Sequence, residues 1–470
     1  MTGSITRDDR QQIFIDKFIA AGGRGTLEAA TAFGKTRVAL KIIQYLRRTD
    51  TSRKVIIVVP HEYLKNQWQG LLTQWKLNDN SSVHIINSFV KGRHSCSLLI
   101  MDECHRFAAE TFSKIFEVTE YKFILGLTAM MKRLDKRHGI ITEHCPVIDR
   151  VTLEEARQCG FIAPYQEFNL GIEMSPEDAK SYADDQDYYN SIMGTFQWDF
   201  GMLRRAAVSY KPVYTPGGYR GSFSEELARK YGWRGNTAME AFKLMESGAK
   251  DIWGGNPDHP YTPQKLYLKA IQGMRLMQKI KNIIHRYPAK VDAAVQIINR
   301  LPELKVITFA ELTDTADEMT KRIPDSASYH SSMQVFDSAG KKLSKKKAKD
   351  YIISQVNSGV IRRINTAKAL DEGADFPEIA LGIRISGTSS PTQQTQRRGR
   401  VVRKHADKQA VMVNIYLKNT KEVQWLSKAQ GYSEDIVWVD SVDEIIEQIK
   451  PASDGYISSG VWTETSPETK

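Results

Sequence analysis

Residues 25–43 read GTLEAATAFGKTRVALKII, and this stretch decides the fold. Its first half predicts a short strand, and the apolar spacing of its second half predicts an amphipathic helix. Between them stand Gly34, Lys35 and Thr36, the end of a G-x-x-x-x-G-K-S/T pattern in which Ala29 replaces the first glycine. The N–H groups of such a loop cradle phosphates at the positive end of the helix dipole. Lys35 would reach the β- and γ-phosphates of a nucleotide, and Thr36 would hold Mg²⁺.

An acidic pair follows a later predicted strand. Ser97–Met101 is an apolar run, typical of a buried strand, and Asp102 and Glu103 come directly after it. A carboxylate at Asp102 can bind Mg²⁺ opposite Thr36, and Glu103 can orient and activate the water that attacks the nucleotide. His105 is either a sensor of the nucleotide state or a plain surface histidine.

Paired arginines occur near the other end of the chain, in QRRGRVVR at residues 396–403. Charge that builds on the γ-phosphoryl oxygens during hydrolysis is stabilised by a rigid cation such as guanidinium. Arg400 and Arg403 are three positions apart, so they share one face of a helix. We expect these arginines and Gln396 to complete a nucleotide site. A basic patch that touches nucleic acid or solvent is the alternative.

Together these motifs resemble those of superfamily 2 helicases of the DExH type, and the resemblance runs along most of the chain. Gln11 resembles the glutamine that reads adenine in that family. VVPHEYLKNQW, residues 58–68, resembles the motif that touches the nucleic-acid backbone. LTAM, residues 127–130, resembles the coupling motif, with methionine in place of its last threonine. VITFAE (306–311) and NTAKALDEGADFPEI (365–379) resemble motifs of the second lobe.

The resemblance implies a set of site residues. Those at the nucleotide are Gln11, Ala32, Phe33, Gly34, Lys35, Thr36, Arg37, Gly373 and Asp375. Those at nucleic acid are Pro60, His61, Gln67 and Thr366. The catalytic residues are Lys35, Glu103, Gln396, Arg400 and Arg403, and the Mg²⁺ ligands are Thr36 and Asp102.

Two further stretches, residues 151–165 and 369–378, resemble the group that includes phage UvsW-like recombination helicases and XPB-like translocases. The resemblance implies two RecA-like lobes that use ATP and Mg²⁺. It also implies a DNA helicase or translocase acting on forks and junctions in recombination, replication or repair. Two alternatives stay open: an RNA helicase with the same core, and the motor subunit of a restriction or defence complex.

Composition agrees with a nucleic-acid partner, since the net charge is +11. No apolar run approaches the ~18 residues of a membrane-spanning helix. The N-terminal MTGSITRDDRQQ is too polar for a secretory signal, which predicts the cytoplasm, or the host cytoplasm if a phage encodes the chain. The 4 cysteines form no C-x-x-C pair, so we expect no zinc site.

Alternating strand and helix patterns predict an α/β fold with parallel sheets. We assign residues 1–150 to a first lobe, 151–174 to an inter-lobe connection, 175–265 to an accessory insertion, 266–452 to a second lobe and 453–470 to a flexible tail. Predicted strands of the first lobe are Val55–Val59, Val83–Ile86, Leu98–Met101 and Phe123–Leu127. We expect Val411–Leu417 to be the last strand of the second lobe.

The insertion is rich in aromatic residues and is predicted to be mostly helical. Residues 224–245 indicate a helix-turn-helix or an ordinary helical hairpin. Its aromatic side chains would stack on unpaired bases or wedge a junction, or else form the core of a small domain. They stand among Arg204, Arg205, Arg220 and Arg234. The lysine-rich residues 341–350 are a solvated helix face or a phosphate-tracking patch.

Overall fold

The computed structural model describes residues 5–131, 137–209, 212–215, 218–222, 232–234, 251–252, 263–336, 340–367, 376, 379–387, 397–402, 410–430 and 436–449. The chain divides into two compact units. Unit 1 comprises Met1–Ile172 and Pro288–Lys470, and unit 2 comprises Glu173–Tyr287. Within the described residues, no helix has the length and apolar character needed to cross a membrane.

The first lobe of unit 1 is a parallel sheet flanked by helices. Its strands are β1 (Arg24–Ala29), β2 (Val55–Val59), β3 (Ser81–Ile85), β4 (His94–Asp102), β5 (Thr119–Thr128) and β6 (Val147–Val151). Its helices are α1 (Arg7–Ala20), α2 (Lys35–Thr49), α3 (Glu62–Gln74), α4 (Ile86–Phe89), α5 (Glu110–Ser113), α6 (Ile115–Val118), α7 (His138–His144) and α8 (Leu153–Gln158). A 3₁₀ turn, Cys104–Ala108, follows β4.

The six strands lie in the order β3-β2-β4-β5-β1-β6, and every neighbouring pair is parallel. All five residues of β2, VIIVV, are buried, which is the pattern of a strand covered on both faces. Because parallel strands share their carboxyl edge, the loop after β1 and the acidic pair after β4 lie at the same edge of the sheet.

The predicted inter-lobe connection, 151–174, is more structured than expected. It contains α8, which is followed by Gly160 in the left-handed conformation (φ 65°). It then forms β7 (Tyr165–Ile172), which is a strand of the second lobe's sheet. The sequence did not reveal β7 because its hydrogen-bonding partners lie far away along the chain.

Unit 2 is the insertion, and its described part is mostly helical. Its helices are α9 (Pro176–Thr195), α10 (Phe200–Ser209) and α11 (Pro263–Arg286). Its short strands are β8 (Pro212–Thr215), β9 (Gly218–Ser222), β10 (Gly232–Arg234) and β11 (Asp251–Ile252). Most of the predicted helix-turn-helix at 224–245 lies outside the described residues, as does the predicted tail at 453–470.

The insertion extends from residue 173 to residue 287, whereas the sequence indicated 175–265. The reason is α11, which was assigned to the second lobe but packs on α9 and α10. A Cβ at Gly273 of α11 would lie 2.9 Å from the side chains of Ile192 and Leu203. The second lobe therefore resumes at Pro288 instead of residue 266.

The second lobe is also a parallel sheet with helices. Its remaining strands are β12 (Val306–Ala310), β13 (Ser326–Tyr329), β14 (Arg363–Ala367), β15 (Leu381–Arg384), β16 (Ala410–Leu417) and β17 (Ile436–Val439). They lie in the order β13-β14-β12-β15-β16-β7-β17. Its helices are α12 (Pro288–Arg300), α13 (Thr313–Arg322), α14 (Lys345–Asn357), α15 (397–401), α16 (Lys421–Gln430) and α17 (Val442–Ile449).

Two parallel sheets confirm the predicted α/β, two-lobed fold. The prediction that Val411–Leu417 is the last strand is wrong, because β17 follows and pairs with β7 at the sheet edge. One continuous cluster of buried apolar side chains has members in both lobes, among them Phe33 and Phe309. The two lobes of unit 1 are therefore packed against each other.

Candidate functional site

The loop between β1 and α2 has the backbone of a phosphate-binding cradle. Ala32 (φ 72°) and Gly34 (φ 95°) are both left-handed, and α2 begins directly after them at Lys35. Backbone N–H groups in such turns converge on an anion, and the positive end of the helix dipole adds to the attraction. A Cβ at Gly34 would lie 2.8 Å from Nε2 of Gln11, and the positive φ of this position disfavours any residue with a Cβ.

Lys35 and Thr36 sit at the start of α2, and both are partly exposed. Nζ of Lys35 donates to the carbonyl oxygen of Ala29, 2.9 Å away. That carbonyl belongs to the backbone at the position where alanine replaces the glycine of the general pattern. The replacement therefore leaves the acceptor for Lys35 in place.

Asp102 ends β4 and is held by two donors. Nε1 of Trp68 donates to Oδ2 of Asp102 at 2.8 Å, and the backbone N–H of Glu103 donates to Oδ1 at 3.0 Å. Burial raises the pKa of Asp102 to about 6, and the neighbouring Glu103 carboxylate adds to the rise. Lys35 is near enough to act in the opposite direction. A buried, oriented carboxyl beside the phosphate loop fits a divalent cation.

Glu103 is a second carboxylate at this edge, partly exposed, with unused acceptor capacity. Its backbone is left-handed (φ 52°), and its Oε2 is buried without a hydrogen-bond partner. That oxygen lies 3.4 Å from Nδ1 of His105. Nδ1 of His105 is 2.9 Å from the hydroxyl of Thr128, which also bonds the backbone of Met130. His105 is thus buried and joins the acidic pair to residues 128–130.

Gln11 on α1 is fully buried next to the phosphate loop. Its Nε2 donates to the carbonyl oxygen of Phe33 at 3.1 Å, while its Oε1 is buried with no hydrogen-bond partner. An amide oxygen in that state fits the amino group of a purine base. Arg10, the preceding residue, anchors α1 through Asp149 and Glu155 at 2.5 and 2.6 Å.

The second lobe meets the phosphate loop through α15. Gly399 lies so close to Thr31 that a Cβ at this position would overlap the threonine side chain. Beside this contact is a cavity of about 240 Å³, lined by both lobes. Arg400, one residue further along α15, is partly exposed. The lobe contact therefore brings α15, the helix of Arg400, against the loop that precedes Lys35.

Two buried ion pairs fix α15 in the second lobe. Arg397 pairs with Glu311 at 2.7 Å, and Arg398 pairs with Glu167 of β7 at 2.8 Å. Glu167 also accepts hydrogen bonds from Asn414 and Gln430, both at 2.8 Å. Burial alone would raise the pKa of Glu167, but the positive charges of Arg398 and Arg384 outweigh it and hold that pKa below its usual range.

The predicted site residues divide into three groups. Those at the first-lobe cleft come together: Gln11, Ala32, Phe33, Gly34, Lys35, Thr36, Asp102 and Glu103. Arg37 is exposed and pairs with Asp8 at 3.4 Å. Phe33 is fully buried against Phe161, so it offers only its backbone. Four predicted residues lie outside the described part of the chain: Gly373, Asp375, Gln396 and Arg403.

Of the residues predicted to contact nucleic acid, three are at least partly exposed and one is buried. Pro60 and His61 follow β2 and are partly exposed, and Gln67 is exposed on α3. Thr366 differs from the expectation, because it is 2% exposed and its hydroxyl donates to the carbonyl of Thr308 in the neighbouring strand at 2.6 Å. That hydroxyl is therefore a sheet contact in this structure and does not reach the surface.

Trp68 and Glu167 were not among the predicted site residues. Trp68 is 1% exposed, and a buried indole N–H usually has a hydrogen-bond partner, which was the available signal. The partner itself, Asp102, could not be read from the sequence. Glu167 gave no signal beyond being the one charged residue of its strand, YQEFNLGI.

Comparison with known proteins gives two family matches. The family described as "Type III restriction enzyme, res subunit" matches residues 5–97 and 87–133. The family described as "Helicase conserved C-terminal domain" matches residues 289–405. The two matches cover the two lobes of unit 1 and leave unit 2 unmatched.

One curated relative and one solved structure span most of the chain. "DNA 3'-5' translocase XPB2" of Sulfurisphaera tokodaii is 23% identical over 418 residues, which are 85% of this chain and 79% of that protein. S. cerevisiae Dbp5 bound to RNA and ADP BeF3 aligns with a TM-score of 0.53 at 11% identity, covering 93% of this chain and 92% of that one. The second likeness concerns the fold.

We expect Lys35→Ala and Glu103→Gln each to lower the rate of ATP hydrolysis by about 100-fold or more, since each removes a group placed at phosphate or water. Nucleic-acid binding should change little. The measurement is steady-state phosphate release beside a binding titration. Lys41→Ala is the matched control, because Lys41 lies on the same helix but pairs with Asp8 at 2.8 Å. Near-normal turnover in either variant would refute these roles.

A second prediction concerns Trp68. Trp68→Phe keeps the ring but removes the N–H that holds Asp102, and we expect about tenfold slower ATP hydrolysis. The Mg²⁺ concentration needed for half-maximal turnover should rise as well. Trp75→Phe, just after the end of α3, is the control. An unchanged Mg²⁺ requirement would show that the indole serves only packing.

Proposed function

The chain belongs to the superfamily 2 helicases and hydrolyses ATP, and on this premise we propose that it is a DNA helicase or translocase that acts on branched DNA. Forks and four-way junctions are the substrates we have in mind. The observation that supports DNA as the partner is the extended similarity to a DNA translocase, over 85% of this chain. The branched form rests on the resemblance of residues 151–165 and 369–378 to UvsW-like recombination helicases. The net charge of +11 supports a polyanionic partner.

In this proposal the first lobe holds the nucleotide. The backbone of residues 31–34 binds the phosphates, and Lys35 moves from its contact with Ala29 to the β- and γ-phosphates. Thr36 and Asp102 would hold Mg²⁺, and Trp68 keeps the Asp102 carboxylate in one orientation. When bound, the ion neutralises charge on the phosphate oxygens.

The unpartnered Oε2 of Glu103 suits the attacking water. A general base needs a lone pair within hydrogen-bonding reach of the proton it accepts, and this oxygen has one available in the structure. Nδ1 of His105 lies 3.4 Å from this oxygen and 2.9 Å from the hydroxyl of Thr128, so the imidazole would link Glu103 to Thr128. Movement of residues 128–130 would thereby reach the group that orients the water.

The second lobe contributes the arginines. Arg400 would stabilise charge on the γ-phosphoryl oxygens only while Gly399 contacts Thr31, because Arg400 directly follows Gly399 on α15. Arg403 and Gln396 are proposed to join it. Closure and opening of this contact would move the lobes along one strand, with the protein gripping phosphates and not bases.

Nucleic-acid contact in the first lobe is proposed for Pro60, His61 and Gln67, at the start of α3. Since Trp68 lies on the same helix and bonds Asp102, a strand that displaces α3 would also move the Mg²⁺ carboxylate. Such a displacement would couple the bound nucleic-acid strand to the nucleotide site.

Two other activities remain alternatives to this proposal, and the experiment below distinguishes them. An RNA helicase would use the same core but read the 2′-hydroxyl of its strand. The motor subunit of a restriction or defence complex would translocate on duplex DNA with a partner protein, and one family match carries the description of a restriction subunit. Each predicts a different best activator of ATP hydrolysis.

We expect forked DNA and four-way junctions to stimulate ATP hydrolysis more than single strands, and blunt duplex or RNA least. The measurement is the ATP hydrolysis rate with matched panels of each in DNA and RNA, with Glu103→Gln as the background. Maximal stimulation by RNA, or by blunt duplex DNA, would overturn the proposal in favour of the corresponding alternative.

A further inference from the structure

The turn between α9 and α10 in unit 2 holds a tryptophan out in solvent. Trp198 is 65% exposed, the most exposed of the large apolar side chains in the described residues. Its backbone (φ 61°) and that of Gln197 (φ 52°) are both left-handed. Neither residue is glycine, and this region is unfavourable for side chains with a Cβ.

Backbone hydrogen bonds hold this turn in one conformation. The backbone N–H of Trp198 donates to the carbonyl oxygen of Met193 at 2.9 Å, and that of Asp199 donates to Phe196 at 2.9 Å. Phe196 is buried in the core of unit 2, so the chain places one aromatic inside and the other outside. Gly or Asn would adopt the left-handed backbone with less strain, and a polar side chain would be more favourable in solvent. Trp198 is therefore unfavourable for stability on both counts.

Cationic side chains follow this turn in the chain and lie near it on α11. Arg204 and Arg205, on the exposed side of α10, follow it in the chain. Lys269 of α11 donates to the hydroxyl of Thr195 at 3.2 Å, which brings α11 next to the last turn of α9. The carboxylate in the turn, Asp199, accepts the backbone N–H of Met202 at 3.1 Å and so caps α10.

A basic stripe continues from the turn along α11. This 24-residue helix has no acidic residue and is about 36 Å long. Five of its six exposed Lys and Arg side chains fall within about a third of the helix circumference at 100° per residue, and the sixth, Lys281, lies on the opposite side. The five are Lys265, Lys269, Arg275, Lys279 and Arg286. The acidic residues of α9 all precede Tyr188, and one of them, Asp185, pairs with Lys279 at 2.6 Å.

We propose that Trp198 stacks on an unpaired base of a nucleic-acid strand whose phosphates follow the basic stripe of α11. A flat exposed ring beside cations matches a base and its phosphates, since base–aromatic stacking and phosphate neutralisation are the two components of single-strand binding. Phe200, 41% exposed two residues later, extends the platform. The inference deepens the proposed function, because it names the strand-binding contact of the insertion.

The test is binding of the full chain to fluorescent strands, followed by anisotropy. A thymidine homopolymer offers bases, and a fully abasic strand of equal length offers only the backbone. We expect Trp198→Ala to bind the thymidine strand about tenfold more weakly and the abasic strand as wild type does. Trp198→Phe should keep the preference for the thymidine strand. Trp438→Ala, which removes a 47%-exposed tryptophan of the second lobe, should leave both affinities unchanged.

The stripe is tested by salt dependence. Lys269→Gln should lower the slope of log affinity against log salt by about 0.7, the value for one phosphate contact on a single strand. An unchanged slope, or an unchanged affinity of Trp198→Ala for the thymidine strand, overturns the proposal and leaves the turn to a protein partner.

Failure of the stacking contact at Trp198 can be distinguished from failure of the proposed action on branched DNA. Repeating the titration with a uridine homopolymer separates them, because stacking does not depend on the sugar. An equal Trp198→Ala loss with both strands, in a wild-type protein that binds the uridine strand more tightly, keeps the stacking contact and overturns DNA as the substrate. Loss with the thymidine strand, in a protein that forks do not stimulate, keeps the contact and overturns the preference for branched DNA.

Discussion

The close approach of Gly399 to Thr31 is the constraint on which the rest of unit 1 depends. One missing side chain lets α15 of the second lobe rest on the phosphate loop of the first. Without that approach, α15, which carries Arg400, would not lie against the loop that precedes Lys35. The site is therefore a property of two sheets in contact, and each sheet alone holds only part of it.

Buried polar contacts keep the parts of this site in place. Trp68 orients Asp102, His105 links Glu103 to Thr128, and Glu167 secures α15 through Arg398. Each joins a reactive or phosphate-facing group to an element elsewhere in its lobe. A buried hydrogen bond or ion pair that loses one partner leaves an unpaired polar group, which is costly, so these contacts favour single orientations. In the proposed mechanism, these contacts would transmit movement of the lobes to the nucleotide.

The features that could be predicted from the sequence are those that depend on local residue patterns. The strand, loop and helix of residues 25–43, the buried run before Asp102 and the two-lobed fold follow from apolar periodicity and from the chemistry of phosphate binding. Long-range pairing was not predictable: β7 joins β16 and β17, which lie far away in the chain, and α11 packs inside the insertion. The partner of Trp68 and the burial of Thr366 depend on which side chains meet in three dimensions, and spacing along the chain carries no such information.

The most direct measurement of the central claim is the ATP hydrolysis rate of Gly399→Ala at saturating ATP, together with the affinity for a fluorescent ATP analogue. The added methyl should hold α15 away from Thr31, so we predict that turnover falls by about tenfold or more while nucleotide affinity stays near normal. Gly139→Ala, where nothing lies within 4 Å of the added Cβ, is the control. Wild-type turnover in Gly399→Ala would contradict the claim that this contact completes the site.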